Sequence, residues 1–285
     1  MSKPTVSGRF LAGSGGPLAT VVWEPPKDIA PRFAVLYLPP FGDEMNRSRR
    51  MAALQARALA AIGGTVALLD PRGTGESGGD HGAATWGGWH ADVALAWAWL
   101  AEQSNVPCVL WGLRLGALLA ADVVATARAA PAAMVLWQPI ASGRAFFNQF
   151  LRLATVQERV GGAEGGADAK ALRLKLAAGN PIEVAGYELN PALVADVEAK
   201  DLVALDGSRC QVVWREVSAV AAPTISPASA RIASRWQEHG AELDIAAVSG
   251  PSFWATQEIS EAPLLVAATT SAIAARFVNH AGGKP

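Results

Sequence analysis

Only two cysteines, Cys108 and Cys210, occur in 285 residues, which leaves neither a disulfide framework nor a metal-ligand spacing. Charge is sparse: Asp, Glu, Lys and Arg make up 17% of the chain and nearly cancel, for a net charge of −1. With no basic run, the electrostatic basis of nucleic-acid binding is missing. No stretch of about eighteen apolar residues reads as a membrane span, and the opening Met1-Ser-Lys-Pro-Thr-Val lacks an apolar signal core. The expectation is a cytoplasmic protein without a membrane span. Histidine is scarce as well, and His81, His90, His239 and His280 are the whole supply.

What is present is apolar residue, 51% of the chain, with ten tryptophans. That is enough to bury a large core in one domain, with or without an inserted lid. Residues 8–12 and 18–23 flank the turn Gly13-Ser-Gly-Gly and read as a hairpin. Short apolar runs then alternate with helical patterns, at 34–38, 65–69, 106–111, 133–137, 210–214 and 243–248. Continuous apolar strands separated by helices predict a mostly parallel sheet covered on both faces, with the antiparallel hairpin at one edge. Thr85 is placed to cap a helix on which Trp86, Trp89, Val93, Trp97 and Leu100 recur at helical spacing, a stripe expected in the core. Residues 141–205 differ in texture, with a Gly-rich run at 161–166 that reads as linker and a helical stretch at 168–178. They predict a cap or lid inserted into a core formed by 1–140 and 206–285.

Ligands of such sheets bind beyond the carboxyl ends of the strands. The loop after 106–111 carries Gly112-Leu113-Arg114-Leu115-Gly116. This is the frame of a nucleophile elbow, G-x-S-x-G, a sharp strand-to-helix turn whose glycines remove clashing side chains. The residue at the nucleophile position is Arg114, and 115–130 reads as the helix that follows. The loop after Leu38 runs Pro39-Pro-Phe-Gly-Asp-Glu-Met-Asn-Arg-Ser-Arg-Arg50. By position, the backbone amides of Phe41 and Leu115 are the oxyanion-hole donors. Asp43, Glu44 and Asn46 stand on the same loop. They read either as a solvated helix start, with acids favoured by the dipole, or as the site of a carboxylate, Glu44 or Asp43, that pairs with Arg114. A guanidinium at the top of a sheet is costly to desolvate without such a partner or an anionic ligand.

The remaining catalytic parts are incomplete. The acid position follows the strand ending at Trp214, where Glu216 serves either as acid or as a bracing group. The histidine position follows the strand ending at Val248, where the sequence is Ser249-Gly-Pro-Ser-Phe-Trp254 and contains none. His239 falls at the wrong end of the sheet, His280 in a polar tail, and His81 and His90 read as loop or helix-surface residues. The loop 70–78 holds a formal G-x-G-x-x-G at Gly73, Gly75 and Gly78. No helix opens inside it, so a dinucleotide is not indicated, and no cofactor or metal is expected.

These strings resemble the α/β-hydrolase superfamily, and more narrowly the exosortase A system-associated hydrolases of the second type. The residues that carry the likeness are 39–50, Trp111-Gly-Leu-Arg-Leu-Gly-Ala117, Gly250-Pro-Ser-Phe-Trp254, Glu258 and 263–270. The resemblance implies an α/β-hydrolase fold, with Arg72 and Ser77 of the loop Asp70-Pro-Arg-Gly-Thr-Gly-Glu-Ser bracing a turn. It also implies an association with bacteria that sort PEP-CTERM proteins and make exopolysaccharide, hence a protein partner in that machinery. It supplies no substrate, and the name hydrolase records ancestry of fold more than chemistry.

Two functions remain in competition. In the first, a catalytically divergent protein, a pseudoenzyme with a degenerate elbow, binds a small anionic or acyl ligand. Its pocket holds Arg114, Asp43, Glu44, Asn46, Arg72, Ser252 and Trp254, since a helix N-terminus with a guanidinium suits a carboxylate or phosphate. In the second, an ester or thioester hydrolase works with a nucleophile from Ser77, Ser252 or water activated by Glu44 or Asp43. Arginine itself stays protonated and is no nucleophile. A homodimer is left open.

Overall fold

A computed structural model describes residues 2–103, 105–160 and 168–279, with the backbone alone for 153–160. The Gly-rich run at 161–166 and His280 lie outside the described residues. Among the described residues, ten strands and eight α-helices follow in chain order. The first two strands, β1 (Thr5–Gly13) and β2 (Gly16–Glu24), form the predicted hairpin. Then come β3 (Phe33–Leu38), α1 (Asp43–Ala60), β4 (Gly64–Leu69), α2 (Trp86–Gln103), β5 (Cys108–Leu113), α3 (Leu115–Thr126) and β6 (Ala133–Trp137). After β6 the chain makes α4 (Gly143–Val160), α5 (Ala169–Ala177), a small antiparallel pair β7 (Ile182–Val184) and β8 (Tyr187–Leu189), and α6 (Pro191–Glu198). It returns through β9 (Gln211–Ser218), α7 (Pro227–Glu238), β10 (Leu243–Ser249) and α8 (Pro263–Phe277).

Eight strands make one sheet in the order β1-β2-β4-β3-β5-β6-β9-β10. The six from β4 to β10 run parallel, and the hairpin joins them antiparallel through β2 at one edge. Every residue of β3 and β6 is buried, as expected of strands covered on both faces. Two apolar layers sandwich the sheet. One holds Leu36, Leu110, Leu136 and Trp214 with α2 and α3, and the other holds Val35, Trp111, Val135 and Val213 with α1 and α8. The tryptophan stripe of α2 lies in the first layer, with Trp86 and Trp89 buried and Trp97 packed at its margin. Thr85 caps the helix, its Oγ1 accepting from the Gly88 amide at 3.0 Å.

The hairpin strands extend beyond their expected bounds, and three further boundaries differ from the sequence reading, each for a physical reason. The strand expected at 106–111 lies at Cys108–Leu113, because Pro107 has no N–H to donate and the ladder begins after it. The strand thus runs into the elbow itself. The helix expected to reach residue 130 stops at Thr126. Arg209 takes its last carbonyls there, donating to the carbonyl oxygens of Val124, Ala125 and Ala127 at 2.7–2.8 Å. The strand expected at 210–214 continues to Ser218 and carries Arg215 and Glu216 inside it, both buried. Their charges are satisfied locally: Arg215 pairs with Asp244 of β10 at 2.8 Å, and Glu216 accepts from the Ser226 amide at 2.8 Å at the start of α7.

One polar tie crosses the helical layer. Asp122 on α3 accepts from Trp86 Nε1 at 2.7 Å and Lys200 Nζ at 3.0 Å, and meets His90 Nε2 at 2.9 Å. Burial works to raise this carboxyl, but the bonds from His90, Trp86 and Lys200 outweigh it and hold the pKa at about 2. A folded pKa below the unfolded value gives stability that is present above about pH 4 and lost as pH falls toward 2. Asp122→Asn is therefore expected to lose about 2 kcal/mol in urea unfolding at neutral pH, with the gap to wild type closing below pH 3.

The elbow glycines give a second expectation. A Cβ on Gly116 would lie 2.3 Å from the Leu38 carbonyl oxygen and 2.4 Å from that of Pro39, whereas one on Gly87 meets nothing within 4 Å. Gly116→Ala should cost about 3 kcal/mol or more through overpacking against fixed backbone. Gly87→Ala in α2 should be neutral or stabilise by up to about 1 kcal/mol, and thermal unfolding of the two variants checks the contrast.

Candidate functional site

At the turn from β5 into α3, Arg114 has φ 56° and ψ −115°, a conformation that L side chains rarely adopt. The chain holds it there. The Arg114 amide donates to the Trp137 carbonyl at 3.0 Å, and the Arg114 carbonyl accepts from Ala117 at 3.1 Å. The neighbouring glycines let the turn close, since a Cβ on Gly112 would fall 2.3 Å from the Gly116 oxygen. The backbone of a nucleophile elbow is thus intact around a residue that cannot serve as nucleophile.

The guanidinium meets Glu44 on the first turn of α1. Arg114 Nη2 lies 3.1 Å from Glu44 Oε1, and Nε lies 3.3 Å from both carboxylate oxygens. Both side chains are about one-fifth exposed, 18% and 22%. The Trp254 ring packs on the cation, 5.5 Å from centroid to Cζ. Burial pushes the Glu44 carboxyl above its usual value, while Arg114 and more weakly Arg47 pull it back. Of the two acids that sequence offered to Arg114, Glu44 is the partner. Asp43 turns instead to Tyr187, whose Oη donates to it at 3.0 Å, and to Arg47 at 3.7 Å. Burial and Asp43 push the Tyr187 phenol up to about 12.

Beside this pair lies a cleft of about 250 Å³. Glu44, Arg47 and Trp254 line it together with Phe146 and Phe150 of α4 and Tyr187 of β8. Phe41 lines it too, its ring centroid 5.4–6.4 Å from those of Phe146, Phe147, Phe150 and Tyr187. Arg47 is anchored by the carbonyls of Ala255 and Thr256 at 3.2 and 3.3 Å. Sequence reasoning did not place Arg47, Phe146, Phe150 or Tyr187 here. The spacing of Phe146, Phe147 and Phe150 on one helical turn was the available signal, but nothing local ties that helix to the elbow.

The amides of Leu115 and Gly116 open α3 and so have no intrahelical acceptor. The space they share with Phe41 is small, a cavity of about 20 Å³ walled by Trp86, Trp89 and Leu119. That is room for about one water molecule.

The other residues singled out from sequence are engaged elsewhere. Arg72 Nη2 lies 2.6 Å from Asp92, which is buried in α2, and also donates to Ser14. Ser77 donates to the Asp70 carbonyl and accepts from the Ala19 amide at 2.8 Å. Both brace the 70–78 turn. Glu216 does not stand in a loop after its strand. It lies in β9, bonded to Ser226 and Ser229 at the start of α7. Asn46 and Ser252 are exposed. His90 meets Asp122, and His239 meets the Arg235 carbonyl at 2.7 Å on the far end of α7. His81 lies in the loop before α2, as read, and packs its ring against Phe41 and Tyr187, with Nδ1 2.7 Å from the Glu188 carbonyl. Among the described residues no serine or cysteine side chain hydrogen-bonds a histidine. Among them too, no group of three or more His, Cys, Asp or Glu is placed to hold a metal, and no helix is long and apolar enough to cross a membrane.

Comparison with known proteins agrees with this architecture. The chain superposes on Est1E from Butyrivibrio proteoclasticus with ferulic acid bound, at TM-score 0.64 and 14% identity over 94% of this chain and 98% of that one. It superposes on a thermostable carboxyl esterase from Bacillus coagulans at 0.63 and 12%, over 98% and 100%. A serine hydrolase without a lid from Xanthomonas campestris matches at 0.55 and 17% over the whole of both chains. At these identities the likeness shows the α/β-hydrolase fold. No curated protein matches the chain by sequence. The profile of Hydrolase_4, serine aminopeptidase S33, matches residues 30–225, which include β3, the Arg114 elbow and β9. The chain belongs to that family, and its elbow carries arginine where the family's name calls for serine.

Proposed function

We propose that this protein is a catalytically divergent member of its family that binds a small acyl ligand in the cleft beside Arg114. The observation that carries the reading is the Arg114–Glu44 pair, seated in an otherwise intact elbow. Arginine removes the nucleophile, and the pairing gives its charge an internal partner. Glu44 then acts as the resident anion. A ligand carboxylate or ester carbonyl reaches Arg114 by displacing it, with the apolar part lying on Phe41, Phe146, Phe150 and Trp254. The ferulic acid bound by Est1E is an aromatic acid of the size such a cleft takes. Residues 141–205, which supply Phe146, Phe150 and Tyr187, are read as the cap over this cleft. The closer resemblance to exosortase-associated hydrolases belongs to the same reading. It adds a protein partner in exopolysaccharide or protein-sorting machinery, without naming a substrate.

A second reading is favoured by one observation, the upward push on the Glu44 carboxyl. A carboxylate raised toward neutrality is a better base, so water activated by Glu44 would attack an ester or thioester bound in the same cleft.

Turnover and binding separate the two. Against p-nitrophenyl esters and acyl-CoA thioesters the purified protein is expected to show no rate above background, and a fluorophosphonate should leave it unlabelled. Ferulate or benzoate should raise the melting temperature, more in Glu44→Gln, where the internal competitor is gone, and not in Arg114→Met. Because protonation of Glu44 frees Arg114, wild-type affinity should rise as pH falls from 7 toward the range where the ligand's own carboxylate titrates, about pH 4. Ester turnover abolished by Glu44→Ala would establish the second reading. A ligand shift that survives Arg114→Met would remove the first.

A further inference from the structure

The other side of α1 has a cleft of its own. Met45, Arg49, Ala52 and Ala53, one stripe of the helix, face β2, β3 and β4 across a space of about 260 Å³. Glu44 and Arg47 lie on the opposite side of that helix, toward Arg114. The sheet register places the strand residues of the cleft. Val21 of β2 and Tyr37 of β3 both stand opposite Leu68 of β4, and Trp23 stands opposite Val66, one row further along the same face. Most of the wall is aliphatic.

Two hydrogen-bond donors in that wall lack acceptors. Trp23 Nε1 is buried without a partner. The Tyr37 hydroxyl has no hydrogen-bond partner among the described residues, although its ring is fixed against Trp111 with centroids 4.2 Å apart. Burial pushes the phenol far above its ordinary value, so it remains a donor at any physiological pH. The buried, unpaired Trp23 donor costs about 1–3 kcal/mol and calls for an explanation, while the Tyr37 hydroxyl stands without a protein partner at a less enclosed point of the wall. Three other indoles, those of Trp111, Trp214 and Trp236, also lack acceptors, but Trp23 is the one of the four in this cleft.

The rim decides the charge of the occupant. Arg49 is held by Asp70, Nη2 to Oδ2 at 3.0 Å, and Asp70 also accepts from the Glu76 amide at 3.1 Å. With Arg49 neutralised and the Glu76 carboxylate beside it, the rim bears excess negative charge and disfavours an anion. We propose that this cleft is a second ligand site, which takes a small, mainly apolar molecule with a neutral carbonyl oxygen, an ester, amide or ketone, accepting from Trp23 Nε1 and Tyr37 Oη. A carbonyl has two lone pairs, and these two residues supply two donors. The site does not depend on the reading of Arg114 and Glu44.

Indole N–H signals in a ¹⁵N-labelled sample test it, with Trp23→Phe assigning the Trp23 resonance among the ten tryptophans. Acetophenone is expected to shift that resonance saturably. Tyr37→Phe, which keeps the ring, should weaken its binding about three- to tenfold, the range of one hydrogen bond. Ethylbenzene, of similar shape without an acceptor, should bind at least as weakly, and benzoate more weakly still. Ala53→Phe, which fills the cleft from α1 and leaves both donors, should abolish the shift, while Arg114→Met should leave it intact. Equal binding of acetophenone and ethylbenzene overturns the proposal. So does an unmoved Trp23 resonance, an unchanged affinity in Tyr37→Phe or Ala53→Phe, or loss of the effect in Arg114→Met.

Discussion

A positive charge placed at a strained turn constrains much of the molecule. The elbow costs about 1–3 kcal/mol in backbone strain for a residue with a side chain, and Gly112 and Gly116 are what make its close approaches possible. Put arginine there, at the carboxyl end of a buried strand, and its guanidinium must be given a counter-charge. The loop from Pro39 to Gly42 delivers α1 so that Glu44, in its first turn, provides one. That position also suits a carboxylate on dipole grounds. Trp254, from the loop after β10, closes over the pair. Loops from three parts of the sheet thus converge on one ion pair.

The same helix has two working faces. The stripe at Glu44 and Arg47 meets the elbow, and the stripe at Met45, Arg49 and Ala52 meets the hairpin side of the sheet. The first cleft is lined with charge that is already paired, and the second with donors that are not. Arg72–Asp92, Arg49–Asp70, Arg215–Asp244 and Asp122 with its three partners follow one rule, that charges brought inside are satisfied by a neighbour in the fold. Trp23 and Tyr37, the neutral donors of the second cleft, have no such neighbour.

How far sequence reached depends on how local each signal is. The hairpin, the six parallel strands and the tryptophan helix follow from periodicity, because burial of a strand or helix face writes itself into neighbouring residues. The elbow was legible in its two glycines, and the Glu44 pairing followed from the cost of an unpartnered guanidinium. Glu216 was read into a loop because an acid seldom sits inside a buried strand. Only the serines of α7, ten and thirteen residues on, make it tolerable there. Tyr187, Phe146 and Phe150 were not legible as cleft residues, since the segment that carries them meets the elbow only through tertiary packing. Trp23 and Tyr37 are fourteen residues apart on strands that never touch, and only the register through β4 brings them to one face.

The central claim is that Glu44 is the ion that Arg114 holds, and the titration of the Glu44 side-chain carboxyl carbon, followed by ¹³C NMR, tests it most directly. In wild type its midpoint should lie above the usual glutamate value of about 4.3, because burial outweighs the attraction of Arg114. In Arg114→Met, with that attraction removed, it should move higher still. A midpoint in the ordinary range that does not respond to Arg114→Met would contradict the account.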